Sequence, residues 1–462
     1  MAIPAVNIFI GKYRKSGFTL IELMVAMVLG ILVAGGIVTI FISTSSSTKA
    51  QTQLARLQEE GRYAIARLSN DLSMANGQYC TNTGGVALAG SGGLYLDHIR
   101  APMVFAKSLI GANGANSGAF NDLSTAWGTT SGAATYPGTP AAAYSMPSFL
   151  YMRGYDCTLT ACTSVDPTVA GLPIMGKNLG NRVLGTDVIT VRYVNPSSGW
   201  SIGAAGGSTV ATSSTSATIS SITLKPLSGE PPASHFLNGD LVMLASCSSS
   251  QIFAATYGAG VLTVAAAGAS NFTGSGPVSQ PTDTSPTMVF DVNQDFLTVT
   301  YYVALVSENN DGSAPFTGAL IRRVTGGLAN AAKGGTEDEL VRGIERMDFK
   351  YGVQDATGST SFLTAAQIDA STSCPPAELT AITTTSCLWR GINSIEVSVL
   401  MDGQVPLYTL GVNDMNYSYS GDNLNTPTAP GSHPVSPVSQ GFVNQMLRRE
   451  FNALVAVRNY NP

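Results

Sequence analysis

Gly17-Phe18-Thr19-Leu20-Ile21-Glu22-Leu23-Met24-Val25-Ala26-Met27-Val28-Leu29-Gly30 is the stretch that organises the rest of the chain. Lys12, Arg14 and Lys15 precede it, and no charged residue occurs from Leu23 to Ile42. Roughly 20 apolar residues suffice for a helix to cross a bilayer. The basic residues predict that the N-terminal end faces the cytoplasm, with everything after Ile42 outside. Glu22 sits just inside the apolar run. A carboxylate there is costly enough to mark a functional site, provided that it has a partner.

A partner arises if the chain is cut between Gly17 and Phe18. The new α-amino group of Phe18 would be positively charged at neutral pH, and Glu22, four residues on, lies on the same helix face. Within one chain the two could pair. Between packed helices, Glu22 of one chain could neutralise the amine of its neighbour and fix the axial register. An ordinary secretory signal has a shorter apolar core followed by a small-residue cleavage site, which this stretch lacks. The basic leader, Gly17, Phe18, Thr19-Leu20-Ile21, Glu22 and the uninterrupted apolar helix together resemble the class III signal of type IV prepilins.

Beyond the apolar run, Leu54, Leu57, Gly61, Ile65, Leu68 and Leu72 recur at three- and four-residue steps. Arg56, Glu59, Glu60, Arg62, Arg67 and Asp71 are expected largely on the other faces. The pattern predicts an amphipathic helix with its stripe against a globular head, stopped at Asn76-Gly77. A continuous helix from Phe18 to about Ala75 would be on the order of 85–90 Å long. Gly30, Gly35 and Gly36 soften it locally and permit close helix contact. The expected organisation is a leader over 1–17, a transmembrane or fibre-core half over 18–47, an amphipathic half over 48–77 and a β-rich head over 78–462. A Gly/Ser/Ala-rich insertion over about 83–148 reads as a long decorated loop or an inserted lobe.

Strand signals dominate the remainder. They fall at Val188–Val194, Asp240–Ala245, Gln251–Thr256, Phe296–Val306, Ala319–Val324, Met347–Val353 and Ile395–Met401. Ser197 to Ser221 reads as a loop or weak hairpin. Phe442, Met446, Leu447, Phe451 and Leu454 show helical spacing near the C-terminus. The fold class is therefore α+β: a long N-terminal helix packed on an antiparallel, β-rich head.

Charged residues make up 11 % of the 462 residues and the net charge is −5. No basic run occurs outside the leader, so nucleic-acid binding has no compositional support. Six cysteines suggest disulfides in an exported head. Proximity favours Cys157–Cys162 and Cys374–Cys387, each closing a short loop, which leaves Cys80 with Cys247. No CxxC appears, and His98, His235 and His433 lie far from the cysteines, so no zinc site is expected. HExxH, GxSxG and phosphate-cradling loops are absent. Asp291-Val292-Asn293-Gln294-Asp295 faintly suggests a calcium loop, but it lacks the sixth-position Gly and the twelfth-position Glu. It reads better as a turn leading into a strand. Neither catalysis nor a cofactor is expected.

Further residues resemble the PilW-type minor pilins of type IV pili. These are Leu54-Ala55-Arg56-Leu57-Gln58-Glu59-Glu60-Gly61-Arg62-Tyr63-Ala64, Thr186 to Tyr193, Gly239-Asp240-Leu241-Val242 before Cys247, Tyr301-Tyr302-Val303 and Leu320-Ile321-Arg322-Arg323. Asp71-Leu72, Cys80, Leu340 to Glu345 followed by Tyr351-Gly352-Val353, and Leu447-Arg448-Arg449-Glu450-Phe451 with Val455-Ala456-Val457-Arg458-Asn459 complete the likeness. The resemblance implies an inner-membrane prepilin that prepilin peptidase cuts after Gly17 and N-methylates at Phe18. It also implies that Glu22 acts in assembly with other minor and major pilins on the inner-membrane assembly platform, near a pilus tip that serves adhesion and twitching motility. A pseudopilin of a type II secretion system shares the same signal and is the alternative; an exported enzyme on a pilin-like anchor is a more distant one.

Overall fold

The computed structural model describes residues 17–80, 86–90, 93–97, 102–109, 120, 128, 130–131, 134–135, 138–163, 166–167, 171–247, 249–279, 286–325, 335–354, 360–370, 386–407 and 411–458. Two compact units emerge, Met1–Gln53 and Leu54–Pro462. The first contains the start of a helix that spans Leu20–Leu72. Its apolar side chains, Leu20 to Ile42, are all exposed, as expected of a segment whose solvent is lipid or other helices rather than its own head. Thr39 donates its hydroxyl back to the Gly35 carbonyl at 2.9 Å, and Thr48 and Thr52 donate likewise to Thr44 and Thr48. These back-bonds satisfy the polar side chains of the run without outside partners.

In the second unit, Leu57, Ala64, Leu68 and Leu72 are at most 1 % exposed. They join one core with Ile189, Val191, Tyr301 and Val303 from a six-stranded sheet, and with Phe349, Val397 and Val399 from a four-stranded one. The six-stranded sheet has the order Thr336–Arg342, Phe316–Thr325, Phe296–Ser307, Val188–Val194, Arg153–Cys157, Cys162–Thr163. The four-stranded sheet runs Thr360–Leu363, Ile344–Gln354, Ile392–Asp402, Arg448–Ala456. All neighbours in both are antiparallel. The architecture is the expected α+β fold, a helix laid on antiparallel sheet.

The C-terminal helix is overturned. Arg448–Ala456 is a strand paired with Asp402 down to Ser394 along its whole length. Alternation over Leu454-Val455-Ala456-Val457 puts Val455 and Val457 inside, at 6 % and 5 % exposure. This period-two signal outweighs the i, i+4 spacing of Phe442 with Met446 and of Leu447 with Phe451. Phe442 and Met446 are buried in irregular chain after a short helical turn, Pro437–Gln440, that Gly441 ends at φ 101°.

A second β lobe is threaded between two strands that are direct neighbours. Val194 pairs with Phe296, and the chain between them forms most of a nine-stranded sheet with its own core around Trp200, Phe236, Phe253 and Leu262. Ser197 to Ser221 is more ordered than a loop: it holds the strand Trp200–Ile202 and most of the hairpin of Thr209–Thr212 with Ile219–Thr223. Part of the Gly-rich stretch joins this sheet too, since Met103–Val104 pairs in parallel with Gln251 and Ile252, and antiparallel with Tyr144–Ser145. The lobe returns through Asp291 and the helical turn Val292–Asp295. There the Asp291 carboxylate accepts from the Asn293 N–H and Asp295 accepts from the Asp291 N–H. The acidic pentapeptide is thus the expected turn into a strand, each carboxylate accepting from a backbone N–H of the turn.

Candidate assembly site

The predicted cleavage site lies at the helix start, where Phe18 is 87 % exposed. Thr19 and Glu22 form a reciprocal cap. The Thr19 N–H and hydroxyl both donate to Glu22 Oε2 at 3.0 Å, and the Glu22 N–H donates to Thr19 Oγ1 at 3.3 Å. This is the capping-box arrangement, in which two side chains serve N–H groups that the first helical turn leaves without carbonyl partners. Glu22 therefore has a partner in the uncut chain, Thr19, beyond the amine that cleavage would supply. The cap holds the carboxylate beside the bond expected to be cut, which is where a new amine would form.

In the second unit the helix ends in a buried polar latch. Asp71, 2 % exposed, accepts from Tyr301 Oη at 2.6 Å, Tyr193 Oη at 3.1 Å and Arg322 Nε at 2.6 Å. Burial, and then the adjacent Asp71 carboxylate, push both tyrosine hydroxyls well up, so they stay protonated donors. The expectation of a polar-face Asp71 is corrected here. It follows Leu57 and Ala64 at seven-residue steps, so it belongs to the buried stripe, and that spacing is the available signal.

Two further contacts fix the same helix end. Asn76, at φ 60°, donates through Nδ2 to the Trp389 carbonyl at 2.9 Å and accepts from the Met152 N–H at 2.8 Å. A disulfide joins Cys80 to Cys247, just past the lobe strand Leu241–Ala245. Cys157 and Cys162 are bonded across the tight turn between their strands. Cys374 and the Cys387 side chain lie outside the described residues. Higher on the helix, Gly61 has no room for a side chain: a Cβ there would overlap the ring of Phe451.

Among the described residues no group of three or more His, Cys, Asp or Glu side chains is arranged to hold a metal ion. His235 pairs with Asp295 at 3.0 Å and His433 with Asp422 at 2.9 Å; His98 lies outside the described residues. What the arrangement offers is a chemistry of packing: an apolar helix with one carboxylate at its start, and a head locked to the last turns of that helix.

Residues 12–38 match the prokaryotic N-terminal methylation motif, and residues 300–459 match the family Type IV Pilus-assembly protein W. The latter runs from within the strand Phe296–Ser307 through Arg448–Ala456 and includes Arg322 of the latch. Comparison with curated proteins and with solved structures returns no match. A prepilin methylation motif at the start of the chain and a PilW domain at its end together support a PilW-type type IV pilin, a family of structural pilus components.

Proposed function

We propose that this pilin is made as an inner-membrane precursor, cut between Gly17 and Phe18 and N-methylated at Phe18. It then takes part with other minor pilins in priming pilus assembly and sits at or near the tip, where it supports adhesion and twitching motility. In this reading the N-terminus is cytoplasmic and the head periplasmic until assembly carries it to the cell surface. The two disulfides fit an oxidising compartment for the head.

The observation that carries the assembly role is the placing of Glu22. Its carboxylate is held at the first turn of an otherwise uncharged run. After cleavage the nearest cation is the amine of Phe18, on the same chain or a neighbour. Packed among apolar helices, an unpaired charge would be strongly unfavourable, whereas a paired one sets register. Glu22→Ala should be cut and inserted normally but should co-purify poorly with other pilins, with pili few or absent. Normal piliation and normal co-purification of the variant would reject the pairing. Co-purification of the unaltered chain with secretion components instead of pilins would favour the type II pseudopilin reading.

A further inference from the structure

The Cys157–Cys162 disulfide has a guanidinium built against both of its sulfurs. The bond joins Arg153–Cys157 to Cys162–Thr163, the two-residue strand at one edge of the six-stranded sheet. Arg182 reaches it from a separate segment, and its Nη1 lies 3.5 Å from Cys162 Sγ and 3.9 Å from Cys157 Sγ. The Arg182 side chain is 1 % exposed. Its remaining nitrogens hold it in place: Nε donates to the Pro173 carbonyl at 2.6 Å and Nη2 to Asp166 at 2.9 Å.

A disulfide is neutral and gains little from an adjacent cation, whereas a thiolate gains much. A guanidinium beside a cysteine draws its thiol below the ordinary value of about 8.5. Burial opposes both charges, and it holds Arg182 below its usual range even with Asp166 beside it. The pocket is therefore short of negative charge. The neighbouring acids do not supply it. Asp166 is half exposed, and Asp187, which accepts from the Cys157 N–H at 2.8 Å, is raised by burial and by Asp348 and Asp156 toward its neutral form. Tyr302, in the same core as Tyr155 and the two cysteines, is pushed up by burial and stays a neutral phenol. Reduction of the disulfide is the event that would place an anion against Arg182. The cover over the sulfurs is thin: Thr158, Thr160, Ala161 and Thr163 are exposed, and fraying of so short an edge strand uncovers the bond.

We propose that Cys157–Cys162 is a redox-active disulfide, opened by a dithiol reductant and held open by Arg182 as a thiolate. A thiolate of the reductant attacks Cys157 Sγ, the sulfur farther from the guanidinium. The S–S bond breaks toward Cys162 Sγ, which leaves as the thiolate facing Nη1. The reductant's second sulfur then displaces Cys157, and the reductant departs as a disulfide. Two electrons pass to the pair; one of the dithiol's protons goes to Cys157 and the other to water. The inference stands apart from the assembly reading, since all three residues lie outside both matched segments.

The test equilibrates the full-length chain, in neutral detergent, with mixtures of reduced and oxidised dithiothreitol. Acid quenching, alkylation and peptide mass mapping then score each cysteine separately. Arg182→Gln should lower the equilibrium constant for reduction of Cys157–Cys162 about tenfold, equivalent to about 30 mV for a two-electron couple. Asp166→Asn, at a half-exposed position, removes the counter-ion of the guanidinium and should raise the same constant. A merely structural role for Arg182 predicts the same sign for both variants, because each would loosen the same segment. In the reduced parent, alkylation of Cys162 should have its pH midpoint below about 8.5, and Arg182→Gln should move it up. Should Arg182→Gln fail to fold, Asp166→Asn and the parent's alkylation midpoint still decide. The proposal is overturned by a pair that stays oxidised where the denatured chain is fully reduced, or by an unchanged constant in Arg182→Gln. Shifts of the same sign in the two variants, a lowered or unchanged constant in Asp166→Asn, or a Cys162 midpoint at or above about 8.5, overturn it equally.

Discussion

The Tyr301 hydroxyl donates to Asp71 at 2.6 Å, across 230 positions of sequence. With Tyr193 and Arg322 it makes Asp71 the point at which the helix and the six-stranded sheet are joined by polar rather than apolar contact. Removing the carboxylate leaves a largely buried guanidinium and two phenols without their acceptor. Asp71→Ala should therefore destabilise the head by about 3 kcal/mol, read as a lower denaturant midpoint with an unchanged slope. A loss within error of zero would show that the latch contributes specificity and no net stability.

Gly61 permits the ring of Phe451 to lie against the helix backbone. Gly61→Ala adds helix propensity worth about 1 kcal/mol, but it forces the ring aside at a larger cost, roughly 1–3 kcal/mol for overpacking. The single variant should be no more stable than the parent, or less so. Combined with Phe451→Leu, the alanine should become favourable, and this reversal of sign in a double-mutant cycle is the measurement.

Processing is checked by mass spectrometry of membrane and pilus fractions. The mature chain should begin at Phe18 with a methylated amine. Replacing Gly17 with a larger residue should crowd the scissile bond and leave the precursor in the membrane. A mature start after Ser43, or at Met1 in cells with active peptidase, would reject the prepilin processing.

Three buried carboxyls set the pH response. Burial raises Asp187, helped by Asp348 and Asp156; burial raises Asp291, helped by Asp240 and Asp295; burial raises Asp402, helped by Glu345. A carboxyl raised in the folded state binds its proton more tightly there than in the unfolded chain. Its contribution to stability is complete below the unfolded value of about 3.9 and is lost as pH rises through the folded value. The thermal midpoint should therefore rise as pH falls from 8 toward 5, and Asp291→Asn should flatten that slope. A midpoint that falls steadily over the same range would contradict the assignment.

Much of this is legible in the sequence because the strongest signals are local. A long charge-free run needs no tertiary context to be read, and strands such as Val188–Val194 and Ile392–Asp402 are dense in β-branched residues. Asp71 misleads because a charge is assigned by type to the solvent side, although its seven-residue spacing from Ala64 places it inward. The C-terminal strand misleads because its apolar residues satisfy both periods, and the pairing with Ile392–Asp402 that decides between them is not local. The Thr19 partner of Glu22 needs no long-range information, being a Thr three residues ahead of a Glu. The inserted lobe is invisible, since nothing in Asn195 or Asp295 announces that their neighbours lie side by side.

That adjacency puts the lobe's two joins to the main sheet on a single rung. The Asn195 N–H donates to the Asp295 carbonyl at 2.8 Å, so the chain leaves the main sheet and re-enters it at the same rung. A tight turn spliced between Val194 and Phe296 would close the gap in the main sheet, but the excision would also have to replace Met103–Val104 and Tyr144–Ser145, which pair on the lobe's sheet, and exchange Cys80, which loses its mate Cys247, for serine. The seam is thus a place where an engineer can graft a foreign domain onto a strand pair that the main sheet already holds in register.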